Sequence, residues 1–360
     1  MNSPLSIFNY KSVAVSLYWI NISITTTGYN NFMLGGVIME FVKPIIVVSK
    51  CIEFAKCRYN GVMISDDFVK KLKDYVEFIP VCPEVEIGLG VPRETIRLVK
   101  EDEKIRLIQP ATKRDVTDKM NQFSEEFLGS LEQIDGFLLK DRSPSCGTKD
   151  SKVYSDIDKS SMVIDKSKGL FAQKVEDIFP YAVVENEGRL KNFRIREDFL
   201  TKLFLLARFR KVKESKAMSK LVQFQAENKL LFFAYKEAEM RKMGKIVANQ
   251  QHLSWAEVIK EYEEHLHNLL KGMATYKANI NALMHAFGYF SKELSSQEKK
   301  FFLDTLDKYR ENKVPLSVPN NILEAWIIKY DKSYLKEQSF FHPYPEELIE
   351  IKDSGKGRDY

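Results

Sequence analysis

A chain of 360 residues, 44% hydrophobic and 29% charged, has enough apolar side chain for one large core or two ordinary ones, which excludes a disordered or fibrous chain. Its formal net charge of +5 is mild, so what matters is where the excess lies. Four cysteines are too few for a disulfide scaffold of this length, and all fall before residue 150, which points to a metal or redox site in a reducing compartment, the cytoplasm.

Residues 1–38 differ from the rest: Lys11 is their one charged side chain, and Ser, Thr, Asn and Tyr are abundant. No apolar run here is long enough to cross a bilayer, and the basic start and small-residue cleavage site of a signal peptide are missing. Gly35-Gly36-Val37-Ile38 reads as translated ribosome-binding sequence, so 1–38 is expected to be a non-native or disordered extension, with Met39 the true start.

From residue 42 strands and helices alternate. A β-branched run at 44–49 leads to Cys51, and 66–75 is an amphipathic helix with Asp66 as its cap. A second strand at 76–81 runs into Cys82. Residues 104–109 read as a third strand, 116–134 as a helix, 136–140 as a strand, 170–178 as a helix and 181–185 as a closing strand. Such alternation predicts an α/β domain over 39–192, Rossmann-like with a mostly parallel sheet. In such sheets ligands bind beyond the carboxyl ends of the strands. Cys51, Cys82 and Cys146 each follow a strand, so three sulfurs are expected to meet at one edge.

After residue 192 the strands stop. Helical spacing recurs at 197–216, 219–243, 254–271, 276–290, 295–312 and 320–334, with a capping box at Ser295 and Glu298 and a break at Pro315 and Pro319. This predicts an all-α domain over 193–350, followed by a tail at 351–360. Between 201 and 345 there are 24 Lys and Arg against 16 Asp and Glu, more than the whole positive excess of the chain. Arg208, Arg210, Lys211, Lys213 and Lys220 form its densest run, a candidate phosphate-binding surface. Tyr262, Tyr276, Tyr289 and Tyr309 are candidates for stacking on exposed bases, though such rings are more often core.

Three thiolates are an incomplete shell for zinc or a cubane cluster, and an incomplete shell leaves one metal position for substrate. The competing reading is ordinary buried cysteine. Cys57 is a possible fourth ligand, but the turn-like Cys57-Arg58-Tyr59-Asn60-Gly61 is expected to lead away from the strand edge. Glu84, fixed two residues after Cys82 by Pro83, is placed to move protons. Ser143 and Ser145 flank Pro144 beside Cys146, as substrate groups or as turn residues. Arg58, Arg93, Lys140 and Arg142 are candidates for holding a base, or for structural ion pairs.

These residues carry a resemblance. Val48-Ser49-Lys50-Cys51, Cys57-Arg58-Tyr59-Asn60-Gly61, Val81-Cys82-Pro83-Glu84-Val85, Gly88 to Arg93, Arg114-Asp115-Val116-Thr117 and Lys140-Asp141-Arg142-Ser143-Pro144-Ser145-Cys146-Gly147 resemble the 2-thiouracil desulfidase family over 43–187. That resemblance implies a 4Fe-4S cluster held by Cys51, Cys82 and Cys146, with one iron open to the sulfur of a thiolated base. It also implies a supporting place for Cys57 and catalytic roles for Glu84 and one serine, Ser143 favoured over Ser145. Leu221-Val222-Gln223-Phe224, Asn281 to His285, Tyr309-Arg310, Val314-Pro315-Leu316 and Pro343-Tyr344-Pro345 resemble the YbgA-like domain. Histidines usual in that domain's first motif are absent from Phe224 to Lys229. The fusion is similar to transfer RNA 4-thiouridine desulfidases, which implies a tRNA substrate bound by the helical half. Alternatives are desulfuration of free 2-thiouracil or a related nucleobase, and a non-enzymatic, metal-stabilised RNA-binding protein.

Overall fold

The computed structural model describes residues 29–34, 37–158 and 160–352, and side chains from Phe41 onward. Residues 1–28 and 35–36 of the expected extension, and 353–360 of the expected tail, lie outside the described residues. A hairpin of β1 (Tyr29–Leu34) and β2 (Val37–Val42) leads into the sheet domain.

The site rests on a four-stranded, all-parallel sheet of β3 (Ile45–Ser49), β4 (Glu77–Val81), β8 (Gly136–Leu139) and β11 (Val183–Asn186), in the order β11-β8-β3-β4. The two central strands are apolar on both faces: Ile46, Val47 and Val48 of β3 and Phe137, Leu138 and Leu139 of β8 are fully buried. Helices covering both faces require that continuous pattern. Pro80 is tolerated because β4 is an edge strand, where a missing N–H breaks no central ladder. Around the sheet lie α1 (Asp67–Leu72), capped by the Asp66 carboxylate on the Val69 N–H as expected, α2 (Pro83–Glu86), α3 (Thr117–Gly129) and α4 (Leu170–Ile178).

A second sheet was not expected from the sequence. In it, β5 (Arg97–Glu101), β6 (Lys104–Gln109), β7 (Arg114–Asp115), β9 (Ser151–Tyr154) and β10 (Val163–Ser167) run in the order β10-β9-β5-β6-β7, antiparallel except between β5 and β9. Residues 104–109 are thus a strand, but of this sheet. Asp102, in the left-handed region at φ 52°, turns β5 directly back into β6.

The helical region comprises α5 (Phe193–Ser215), α6 (Met218–Glu227), α7 (Lys229–Ala248), α8 (Trp255–Leu270), α9 (Tyr276–Phe287), α10 (Ser296–Arg310), α11 (Ser317–Lys329) and α12 (Ser333–Lys336). Reciprocal capping boxes, Ser254 with Glu257 and the expected Ser295 with Glu298, start α8 and α10. The single helix expected at 219–243 is two, separated at Asn228, whose amide donates to the Phe224 carbonyl at 2.7 Å. α7 also kinks at Lys236, where the backbone is extended. Pro319 lies inside the first turn of α11, where a missing N–H costs no helical bond, so the break precedes it.

α5 joins the two halves. Phe199, Leu200, Leu203 and Phe204 pack with Ile46, Val48 and Leu138 of the sheet, while Leu205, Leu206, Phe209 and Val212 pack with the later helices. Its apolar residues thus serve two cores in turn, one along each half of the helix. Arg210 fastens it: its guanidinium pairs with buried Asp135 at 3.1 Å and donates to the Lys43 carbonyl at 3.0 Å, while Asp135 accepts the Ile45 N–H at 2.8 Å. Arg210→Ala would leave that carboxylate buried without its cation. It is expected to cost about 3 kcal/mol, measured by urea denaturation.

Candidate metal centre

β3 is followed in sequence by β4 on one side and, after a crossover, by β8 on the other, so the chain reverses direction across the sheet between β3 and β8. That reversal opens a crevice beyond the carboxyl ends of these strands. Cys51 lies two residues past β3, Cys82 directly past β4, and Cys146 on the loop past β8. With Cys57, Glu84, Arg93, Ser143 and Ser145 they line one cavity of about 380 Å³.

All four thiols are free and buried. The structure corrects the expectation for Cys57. Its turn folds back, with the Ile64 N–H on the Cys51 carbonyl at 2.8 Å, which brings its thiol beside those of Cys51 and Cys82 and lets the Cys82 thiol donate to its carbonyl at 3.8 Å. Contact with the Cys51 thiol and burial raise the Cys57 pKa. Contact with Cys57 and burial raise that of Cys82. Burial pushes Cys146 up to about 12, partly offset by the Ser49 hydroxyl. Thiols so placed keep their protons unless a metal replaces them, and a metal inverts that preference. Soft sulfur donors of this kind suit zinc or iron–sulfur groups. Among the described residues no three Cys, His, Asp or Glu side chains close on a point that a single ion would occupy. Thiols facing one cavity from the ends of separate strands suit a group of several metal atoms, each taking its own ligand.

The loop from Lys140 to Gly147 is held rigidly. The Gly147 N–H donates to the Ser143 carbonyl at 2.8 Å, and the Ser151 hydroxyl donates to the same carbonyl at 2.6 Å. From below, the N–H groups of Gly169, Leu170 and Ala172 bind the carbonyls of Gly147, Pro144 and Ser145. A Cβ at Gly147 would meet the Ser151 hydroxyl at 2.1 Å, and one at Gly169 the Ser145 carbonyl at 2.4 Å, so both positions require glycine.

A polar chain crosses the cavity floor. Glu84 accepts from Ser145 Oγ at 2.7 Å and Ser143 Oγ at 3.3 Å on one oxygen, and from the Arg93 guanidinium on the other. Arg93 also donates to the Cys57 carbonyl at 3.0 Å, which ties the carboxylate to the thiol cluster. The two serine hydroxyls are 2.9 Å apart. Ser145 is 1% exposed and beside Cys146, whereas Ser143 is the more open.

Of the other cations proposed for the site, Lys140 pairs with Glu187 and donates to the Asp141 carbonyl, so it braces the loop. Arg142 extends outward on Asp141, and Arg58 lies near the Tyr59 ring. Sequence reasoning did not single out Ser49, which contacts Cys146 and accepts the Lys140 N–H at 2.9 Å, although its place beside Cys51 was a signal. It also missed Asp141, whose Oδ1 is buried without a partner among the described residues.

The basic run does not form one open stripe. Arg208 pairs with Glu227, Arg210 with Asp135, Lys211 with Glu214 and Lys213 with Glu263, while Lys220 is exposed beside Gln223. Tyr262 is buried on Gln225 and so is core, while Tyr309, its ring largely buried and its hydroxyl on Asn279, lines a cavity within the helical region. Tyr289 is 40% exposed. Among the described residues no helix is long and apolar enough to cross a membrane.

Residues 46–187 match the family model described as 2-thiouracil desulfurase, and 229–345 match a family described as a protein of unknown function, DUF1722. Uncharacterized protein YbgA of Escherichia coli (strain K12) is 27% identical over 164 residues, 45% of this chain and 96% of that protein. Uncharacterized protein YbbK of Bacillus subtilis (strain 168) is 31% identical over 111 residues, 29% of this chain and 74% of that protein. A solved structure of the [4Fe-4S]-dependent thiouracil desulfidase TudS has 27% sequence identity, covers 41% of this chain and 93% of its own, and superposes with a TM-score of 0.33.

Proposed function

The chain belongs to the 2-thiouracil desulfurase family through residues 46–187, with a DUF1722 domain at 229–345, and from that premise we propose that it replaces the sulfur of a thiolated pyrimidine with oxygen. The observation that carries this reading is the cavity where four thiols from three strand ends meet a carboxylate anchored by Arg93 and two serines. Cys51, Cys82 and Cys146 would hold a 4Fe-4S cluster, and Cys57 would support them. When bound, such a cluster supplies a Lewis-acidic iron for a thiocarbonyl sulfur.

The balance is hydrolytic. One water adds at the ring carbon, a C–O bond replaces the C–S bond, and hydrogen sulfide leaves, with no oxidant or reductant. Glu84 takes the proton from the adding water. Ser143, the more open hydroxyl, faces the substrate, and Ser145 holds the carboxylate in place. Arg93 positions Glu84 by a forked contact that a lysine cannot reproduce. Arg93→Met is expected to lower kcat for sulfide release about tenfold, and Arg93→Lys to recover only part of it.

The substrate we propose is 4-thiouridine in transfer RNA, on the strength of the positive excess of the helical region. Ion pairing of four residues in the basic run favours a second reading, a free thiolated base. Assaying kcat/KM on thiolated tRNA and free 4-thiouracil side by side, between about 50 and about 200 mM salt, separates them. Higher activity on tRNA that falls steeply with salt supports the first reading. Equal, salt-independent activity on both supports the second.

A further inference from the structure

A second cavity, also of about 380 Å³, lies in the helical region and shares no lining residue with the thiol pocket. Its volume falls in the range of small-ligand sites. One wall is a single face of α5, where Arg194, Glu197, Asp198 and Thr201 recur at helical spacing. Opposite are Tyr276 and Tyr309, their rings 4.9 Å apart, and the Arg194 guanidinium lies 4.4 Å from the Tyr276 ring centre. Pro343 and Tyr344 of the C-terminal segment close one side.

Two acceptors give the cavity its chemistry. Asn320 is 8% exposed, lines the cavity, and its Oδ1 has no hydrogen-bond partner among the described residues. A buried acceptor of this kind is costly unless something donates to it. Burial lifts the Glu197 carboxyl to about 7 against an opposing hydrogen bond with Tyr344, so near neutrality its remaining oxygen is present both as an acceptor and as a donor. The cations of the lining, Arg194 and Lys313, are offset by the carboxyl groups of Glu197, Asp198 and Glu346, which suits an uncharged polar group, and an aliphatic one would leave Asn320 unsatisfied. A flat ring with N–H groups along one edge answers both the aromatic wall and the acceptors.

We propose that this cavity binds a nucleobase by its N–H edge, guanine above the others, supplied either by a free nucleoside or by an unstacked nucleotide of an RNA. Guanine presents adjacent N–H groups for a carboxyl and an amide oxygen, whereas uracil presents one. The site is independent of the desulfuration reading, because its residues take no part in that cavity.

Calorimetric titration of the full chain with guanosine, adenosine, cytidine and uridine, and separately with a mixed-sequence single-stranded RNA octamer, tests it. Guanosine is expected to bind about tenfold more tightly than uridine. Glu197→Gln and Asn320→Leu should each weaken binding about tenfold, while Asn320→Asp, which keeps the acceptor, retains it. Circular dichroism checks the fold, and should Asn320→Leu not fold, Glu197→Gln and Tyr276→Ala carry the test. Octamer binding that the same variants weaken, without nucleoside binding, assigns the base to RNA. Absence of binding to every probe, equal affinity for guanosine and uridine, or binding unchanged in Glu197→Gln and the second variant would overturn the proposal.

Discussion

Replacing Glu84 with Gln is expected to leave fold and iron content unchanged while sulfide release falls about 10²- to 10⁴-fold. Gln keeps the volume of the carboxylate, its one oxygen can accept from Arg93, and its NH2 can donate to the serine hydroxyls, so the floor of the cavity can stay assembled. What it cannot do is take a proton from water. Among the described residues Glu84 is also the one acid hydrogen-bonded to both loop serines, through Oε1, while Arg93 occupies Oε2. A defect confined to kcat, with iron retained, separates proton transfer from cluster binding. Turnover within about threefold of the parent would remove Glu84 from the proton path.

Cys146→Ala, Cys82→Ala and Cys51→Ala are each expected to abolish both cluster loading and turnover, whereas Cys57→Ala should keep about four irons per chain. Three ligands leave a fourth iron for substrate; four would close it. Cys82 and Cys146 come from different strands, and each is the one cysteine its strand end contributes. Cys51 and Cys57 share a turn, with their thiols in contact, so this pair holds the alternative. Iron retained in Cys51→Ala but lost in Cys57→Ala would exchange their roles.

The parallel sheet was legible because buried strands leave continuous apolar runs, and 44–49 and 136–140 are of that kind. Strand-end cysteines followed from the same reading, since ligands gather at carboxyl ends. The second sheet was hidden by charge: Arg97–Glu101 and Lys104–Gln109 are rich in charged side chains, and their pairing depends on the turn at Asp102. Cys57 was misplaced because the folding back of its turn relies on contacts between the Cys51 and Ile64 backbones, which spacing does not encode. The basic run misled in a similar way. Sequence counts cations, but the carboxylates that pair with Arg208, Arg210 and Lys213 come from Glu227, Asp135 and Glu263, far along the chain.

The most direct measurement loads the full chain with iron and sulfide under anaerobic conditions and follows a thiolated pyrimidine by mass and by sulfide release. One oxygen from labelled water in the product for each sulfide released, with no added reductant, is the result predicted. Product without labelled oxygen, or turnover that requires an electron donor, would contradict the hydrolytic exchange of sulfur for oxygen.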